Sequence, residues 1–287
     1  MSQTLRDVAL HDLQGLRARH GEVFAADWRR RTALLAGIIL VLVLAAYGFW
    51  RLDFSLTRLG SGLGQIAHMV SLMFPPSPGG RLPLYLQAPT ETLAIALLGT
   101  LTAAVLAFPV GFLAAKNVVP NIFAHFAVRR VLDIFRGVDV LIWALIFINV
   151  VGLGPFAGIL AITASDFGSF GKLFSEAIET ADKRPVEGVI ASGGTRLHAL
   201  RFALIPQIFP VIASQVLYYF ESNTRSATII GIVGAGGIGL HLAEQIRVLE
   251  WNVVAFLVLM ILVVVAIIDW VSSRLRFAII GRAGVVL

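Results

Sequence analysis

The chain has no cysteine among its 287 residues, and only 14% of them are charged. The first absence excludes disulfides, thiol chemistry and cysteine metal sites. The second excludes more. Soluble domains carry about a quarter charged residues. This chain is 57% hydrophobic, with a mean hydropathy of +0.85. Polar groups cannot cover such a surface, so lipid must cover much of it. Histidine is scarce too: the six, at 11, 20, 68, 125, 198 and 241, show no metal-ligand spacing, and no metal site is expected. No G-x-x-x-x-G-K-[ST] occurs, so the chain has no phosphate loop of its own. The opening "MSQTLRDVALHDLQGLRARH" lacks the apolar core of a cleavable signal. There is no tandem repeat and no soluble domain.

The net charge of +6 and the pI of about 10.3 fit basic flanks of membrane spans better than a nucleic-acid surface. Residues 32–50 form an uncharged first span after Arg29, Arg30 and Arg31, which hold the N-terminal segment 1–31 in the cytoplasm. An outside segment, 51–90, is broken by "FPPSPGG". A second span runs over 93–115, with Pro109 inside it as an expected kink. Basic residues at 116–130 and again at 172–201 lie on the inside. The crossings between them must then be even, which gives spans at 131–152 and 155–174 with a Gly-Pro turn outside. A fifth span begins near Ala203, and a sixth covers 253–270. Eighteen of the 23 basic residues fall on the inside. The predicted fold is an all-α integral membrane protein of about six spans, with a core over 91–276, a tail at 277–287 and both termini cytoplasmic. Residues 5–20 can form an amphipathic surface helix (Leu5, Val8, Leu13, Leu16) or a solvated tail.

The third inside loop, 175–206, is too polar to span. Val189, Leu197, Leu200 and Ala203 recur at helical spacing from Pro185, and Gly193-Gly194 break the middle. This predicts two short helices at an angle, with Pro206 opening the fifth span. The spacing resembles a loop shared by permease subunits of bacterial ABC importers: E-A-A, three residues, Gly, nine residues, I-x-L-P. Here it reads Glu187-Gly188-Val189, then Gly193, then Ala203-Leu204-Ile205-Pro206, with Gly and Val for the two Ala, Ala203 for Ile and Ile205 for Leu. "GLGPFAGILA" at 152–161, "FESNTRSATIIGIVGAGGIG" at 220–239 and "DWVSSRLR" ending at 276 are similar to the phosphonate- and phosphite-type permeases of that superfamily.

The resemblance implies a type I ABC importer permease fold in a bacterial inner membrane. It also implies a permease homodimer surrounded by lipid, two cytoplasmic ATP-binding subunits that hold the ATP, and a periplasmic substrate-binding protein. The permease itself then needs no cofactor and is no enzyme. Glu187, Gly188, Val189, Gly193, Gly194 and Pro206 become the residues that couple to the ATPase. Another ligand, such as an amino acid, would use the same loop. A membrane enzyme holding a nucleotide is a reading from a different class.

That last reading has one motif in its favour. Gly234-Ala235-Gly236-Gly237-Ile238-Gly239 is a literal G-x-G-x-x-G. A dinucleotide turn needs a parallel sheet, and none is available. The run is expected instead to turn the chain back at the outer end of span five, buried in protein. Just before it lie Glu221, Asn223, Arg225 and Ser226, expected in the outer half of that span. Glu221 and Arg225 stand four apart, acid first, as a helical ion pair would. Alternatively Arg225, with Asn223, Ser226 and the backbone of Gly234, Gly236, Gly237 and Gly239, faces a transported anion.

Overall fold

A computed structural model describes residue 15, residues 28–119 and residues 121–283. The surface helix considered for residues 5–20, most of segment 1–31 and the last four residues lie outside that description. Among the described residues all regular structure is helical. Two compact units divide the chain between Ala67 and His68.

The first unit holds α1 (Trp28–Arg51) and most of α2 (Leu56–Leu72). α1 is apolar on every side, and none of the window that qualifies it as a span is buried. Such a helix satisfies its backbone internally and leaves its side chains to lipid or to another helix. α2 lies within segment 51–90, before the break at FPPSPGG.

The second unit is a bundle. α3 (Leu82–Ala114) starts earlier than the sequence suggested, because Pro83 sits in its first turn, where a missing N–H costs nothing. Pro89 and Pro109 both lie inside this one helix. α4 (Ile122–Gly137) and α5 (Val140–Val151) meet at 85°. This corrects the single span expected at 131–152. Asp139 caps α5 by accepting from Leu141 N at 2.8 Å, and Phe135 stacks on Trp143 across the corner at 5.6 Å. The cap ends one helix axis and starts another.

α6 (Pro155–Thr180) runs through the middle of the unit. It packs on α3, α4, α5 and α9. Among the described residues four helices are long and apolar enough to cross a membrane, and the bent pair brings the number to five. α6 is not among them, yet at 26 residues it spans about 39 Å. Neighbouring helices cover it, so it has little need of lipid-facing side chains. It carries Asp166, Lys172 and Glu176 instead.

After α7 (Lys183–Ala191), α8 (Arg196–Ala199) passes through a π turn at Leu200–Leu204 into α9 (Ile205–Ile230). The fifth span therefore does not open at Pro206; the helix is already running at Arg196. The π turn shifts the register just before the proline, so its ring does not need the usual i−4 carbonyl geometry. A second π turn, Gly231–Ala235, leads to α10 (Gly237–Arg247). α11 (Trp251–Ala283) closes the unit. It continues past Trp270 and Arg276, so the tail expected at 277–287 begins inside a helix.

Three core layers stack along the bundle. Tyr85, Ala88, Ile238, Val253 and Leu257 fill one end. Ile95, Ala161, Ile162, Ala227 and Ile230 fill the middle. Ala107, Phe170, Phe174, Ile178, Ile208 and Ile212 fill the end that carries α7. At the first end Ser77 N donates to Asn252 O at 3.2 Å. At the other, Glu179 Oε1 accepts from Lys116 N at 2.8 Å and from Arg129 Nη2 at 3.0 Å.

Candidate coupling loop and intramembrane polar network

The loop after α6 is built to hold a short helix away from the bundle. Asp182 caps α7 through Arg184 N at 3.1 Å. Its own backbone N donates to Gln207 Oε1 at 3.1 Å, and Gln207 Nε2 returns a bond to Asp182 O at 3.3 Å. The start of the loop is thus tied to the base of α9. Gly193 turns the chain with φ +87°, a conformation that a side chain resists. Thr195 then caps α8 in a reciprocal box with His198, at 3.3 and 3.4 Å.

The predicted angle of two short helices about Gly193-Gly194 is what the chain forms. No residue of α7 is buried. Glu187 and Gly188 are exposed and Val189 is half-buried. Ile190, Leu197 and Phe202 are exposed as well, at 50%, 76% and 62%. Between α7 and the bundle lies a cleft of about 600 Å³, lined by Val118, Lys183, Val186, Glu187, Ile190, Arg196 and Leu200 among others. Pro206 is exposed too, but it lies in α9 and not on α7. A helix anchored at both ends, with charged and apolar side chains both left uncovered, is suited to receive a protein groove.

The glycine run sits at the opposite end of α9. Gly234 and Gly236 have positive φ, and Gly236 precedes the first turn of α10. Ile238 N donates to Thr92 Oγ1 at 2.9 Å. At Gly239 an added Cβ would collide with the Thr228 carbonyl. The chain reverses here against its own helix, buried in protein, and no strand precedes the turn.

The polar residues of α9 divide between core and surface, with Asn223 buried and Arg225 exposed. Asn223 is buried; its Nδ2 donates to Thr100 Oγ1 at 2.8 Å and to the carboxylate of Asp166. Glu221 Oε2 is ion-paired with Arg276 Nη2 at 2.8 Å, whereas Arg225 is 3.9 Å away. Arg225 Nη1 instead meets Asp269 at 3.2 Å. Ser226 Oγ turns back to Ser222 O at 3.4 Å.

Glu221 stands beside Arg276 of the last helix, with the second π turn and α10 beyond the end of α9. The expected Glu221–Arg225 pair is the longest contact in a chain of four charges. Among the described residues no hydrogen bond or ion pair joins Glu221, Asn223, Arg225 or Ser226 to the glycine run. Thr100, Asp166, Asp269 and Arg276 were missed by sequence reasoning. Asp166 and Asp269 had a signal: each is an ionisable residue within a predicted span.

A model of the binding-protein-dependent transport system inner membrane component matches residues 107–280. The chain belongs to that family. This permease is 38% identical over 254 residues to a putative phosphite transport system permease protein of Stutzerimonas stutzeri, covering 88% of this chain and 90% of the relative. It is 36% identical to a phosphite transport system permease protein of the same organism, over 93% and 97%. A putative cryptic phosphonate transport system permease protein of Escherichia coli K12 is 44% identical over 41% of this chain and 96% of its own length. In fold, the permease resembles a chain of the MetNI methionine ABC transporter in inward-facing conformations. The TM-score is 0.61 at 21% identity, over 69% of this chain and 97% of the other.

Proposed function

We propose that this permease forms the membrane pathway of an ATP-driven importer for phosphonate, phosphite or a related phosphorus oxyanion. The observation that carries the reading is the likeness, over about nine-tenths of both chains, to relatives named as phosphite permeases. In this reading two copies of the permease enclose the path. Two cytoplasmic ATPase subunits bind α7 and supply the energy, and a periplasmic binding protein delivers the anion. ATP is bound by the partner, and this chain carries out no chemistry. Both termini lie in the cytoplasm, on the side of α7.

The loop gives the coupling a physical basis. α7 is fixed to α6 at one end and to α9 at the other, so force applied to it tilts both helices. Glu187, Gly188 and Val189 meet the ATPase groove, Gly193 and Gly194 set the angle, and Pro206 lies where the moving helix enters the bundle.

A second ligand class has support in the fold likeness to a methionine transporter and in 25% identity to a probable D-methionine transport system permease protein of Pasteurella multocida. Calorimetry of the partner binding protein against methylphosphonate, phosphite, phosphate and methionine separates the two. Tight binding of methionine and none of the phosphorus anions would sink the proposal.

A further inference from the structure

An open cavity of about 520 Å³ lies beside the core layer nearest α7, between α6, α9 and α11. Leu173, Ser214, Gln215, Tyr218, Tyr219 and Arg276 line it. No carboxylate is among them. Arg276 is held from behind by Glu221 at 2.8 Å, and its guanidinium lies 5.9 Å from the centre of the Tyr218 ring. The buried Oε1 of Gln215 has no hydrogen-bond partner among the described residues.

The charges around it are unevenly shared. Arg225 is met by Asp269 at 3.2 Å and reaches Glu221 at 3.9 Å. Arg276 has Glu221 alone among the described residues, and Glu221 is divided between two guanidiniums. Arg276 thus keeps donors and part of its positive charge for whatever enters the cavity. One serine hydroxyl, two phenols and an amide surround it.

We propose that this cavity is a binding site for a phosphorus oxyanion, with Arg276 as its charged anchor. The inference rests on the phosphorus-oxyanion reading above and moves the anion-meeting role from Arg225 to Arg276. The chemistry fits: a planar guanidinium takes two oxygens of a tetrahedral anion, and hydroxyls and an amide take the others. Glu221 weakens the hold, which suits a site that must release its ligand. A lipid phosphate has the same recognition chemistry, and a basic pocket between helices near one membrane face suits it equally.

The test uses the full-length permease in dodecyl maltoside micelles, which carry no phosphate. Ser214→Cys supplies the only thiol in a chain that has no cysteine. Its rate of modification by a small charged thiol reagent is measured with methylphosphonate, with phosphite, and in micelles supplemented with phosphatidylglycerol. A bound oxyanion slows modification about tenfold, Arg276→Gln abolishes the slowing, and Arg276→Lys keeps part of it. Slowing by the free anions assigns the site to the transported species. Slowing by phosphatidylglycerol alone assigns it to a lipid phosphate. No slowing by any of the three overturns the site, whether or not Arg276→Gln assembles. Slowing that persists without Arg276 also overturns it. Calorimetry of the binding protein does not involve this cavity, so failure of the transport reading registers separately.

Discussion

Glu221 and Arg276 make a 2.8 Å ion pair that joins α9 to α11, and both side chains are largely covered, at 13% and 24% exposure. α9 is also the helix that continues from the coupling loop. A charge pair at this point ties α9 to the last helix. It holds two groups that neither lipid nor an apolar core would accept singly.

Glu221→Gln is therefore expected to destabilise the purified permease by roughly 2–4 kcal/mol, since it leaves a covered guanidinium without its carboxylate. Arg276→Gln added to it should recover part of that loss. Detergent-resistant melting of the two single variants and the double variant measures this. Equal stability of Glu221→Gln and the parent would show that the pair contributes nothing. Exchanging Glu221 and Arg225 is a poor test, because the new arginine would face Arg276.

A similar argument applies to Asp166, Asn223 and Thr100, which fasten α6, α9 and α3 to one another. Asp166→Ala leaves the buried Asn223 amide short of an acceptor, a cost of about 1–3 kcal/mol. Asp166→Asn should cost less, because an amide oxygen can still accept from Asn223. A melting temperature that falls equally for both would mean that the charge matters and the hydrogen bond does not.

The two short helices of the loop and the corner at Gly193 were legible in the sequence, because both depend on local backbone preference. The apolar runs located α1, α3 and α11 to within a few turns. The 85° corner at Asp139 was not legible: its cap is local, but the Phe135–Trp143 stack that holds it is tertiary. Nor was the pairing of Glu221, since helical spacing names Arg225 as a partner and only the packing of α11 brings Arg276 closer. Hydropathy alone understates α6, because a helix surrounded by protein need not resemble one surrounded by lipid.

Gly239 in α10 and Gly60 in α2 meet opposite surroundings, and this can be measured. At Gly239 a methyl group would run into the Thr228 carbonyl. Gly239→Ala should cost more than about 2 kcal/mol and impair assembly. Gly60, within α2, has nothing within 4 Å of an added Cβ. Gly60→Ala should be neutral or stabilising by up to about 1 kcal/mol. Yields and melting temperatures that ranked the other way would contradict the packing described for the glycine run.

At the coupling loop, Gly193→Ala forces a side chain into φ +87° at a cost of about 1–2 kcal/mol, confined to the loop. Glu187→Arg reverses an exposed charge without any backbone effect. Both should leave the permease in the membrane. Both should also weaken retention of its ATPase partner or break the link between ligand-stimulated hydrolysis and uptake. Normal coupled transport in both variants would remove the role proposed for α7.

Topology can be read with single cysteines, as the chain has none to remove. Ser77 lies in the segment that bonds to Asn252 at the start of α11. Thr195 caps α8 at the other end of the same unit. A charged reagent that cannot cross the membrane should label Ser77→Cys in intact cells once it has passed the outer layers, and should reach Thr195→Cys only in inverted vesicles. The helices between them carry the chain across an odd number of times if α6 and the bent pair α4–α5 each cross once. Counting α4–α5 as a re-entrant hairpin would instead put the two positions on one face. Labelling of both from the same side would decide for the hairpin and against six crossings. Labelling from opposite sides, together with Thr195 on the cytoplasmic one, would place α7 where an ATPase can reach it.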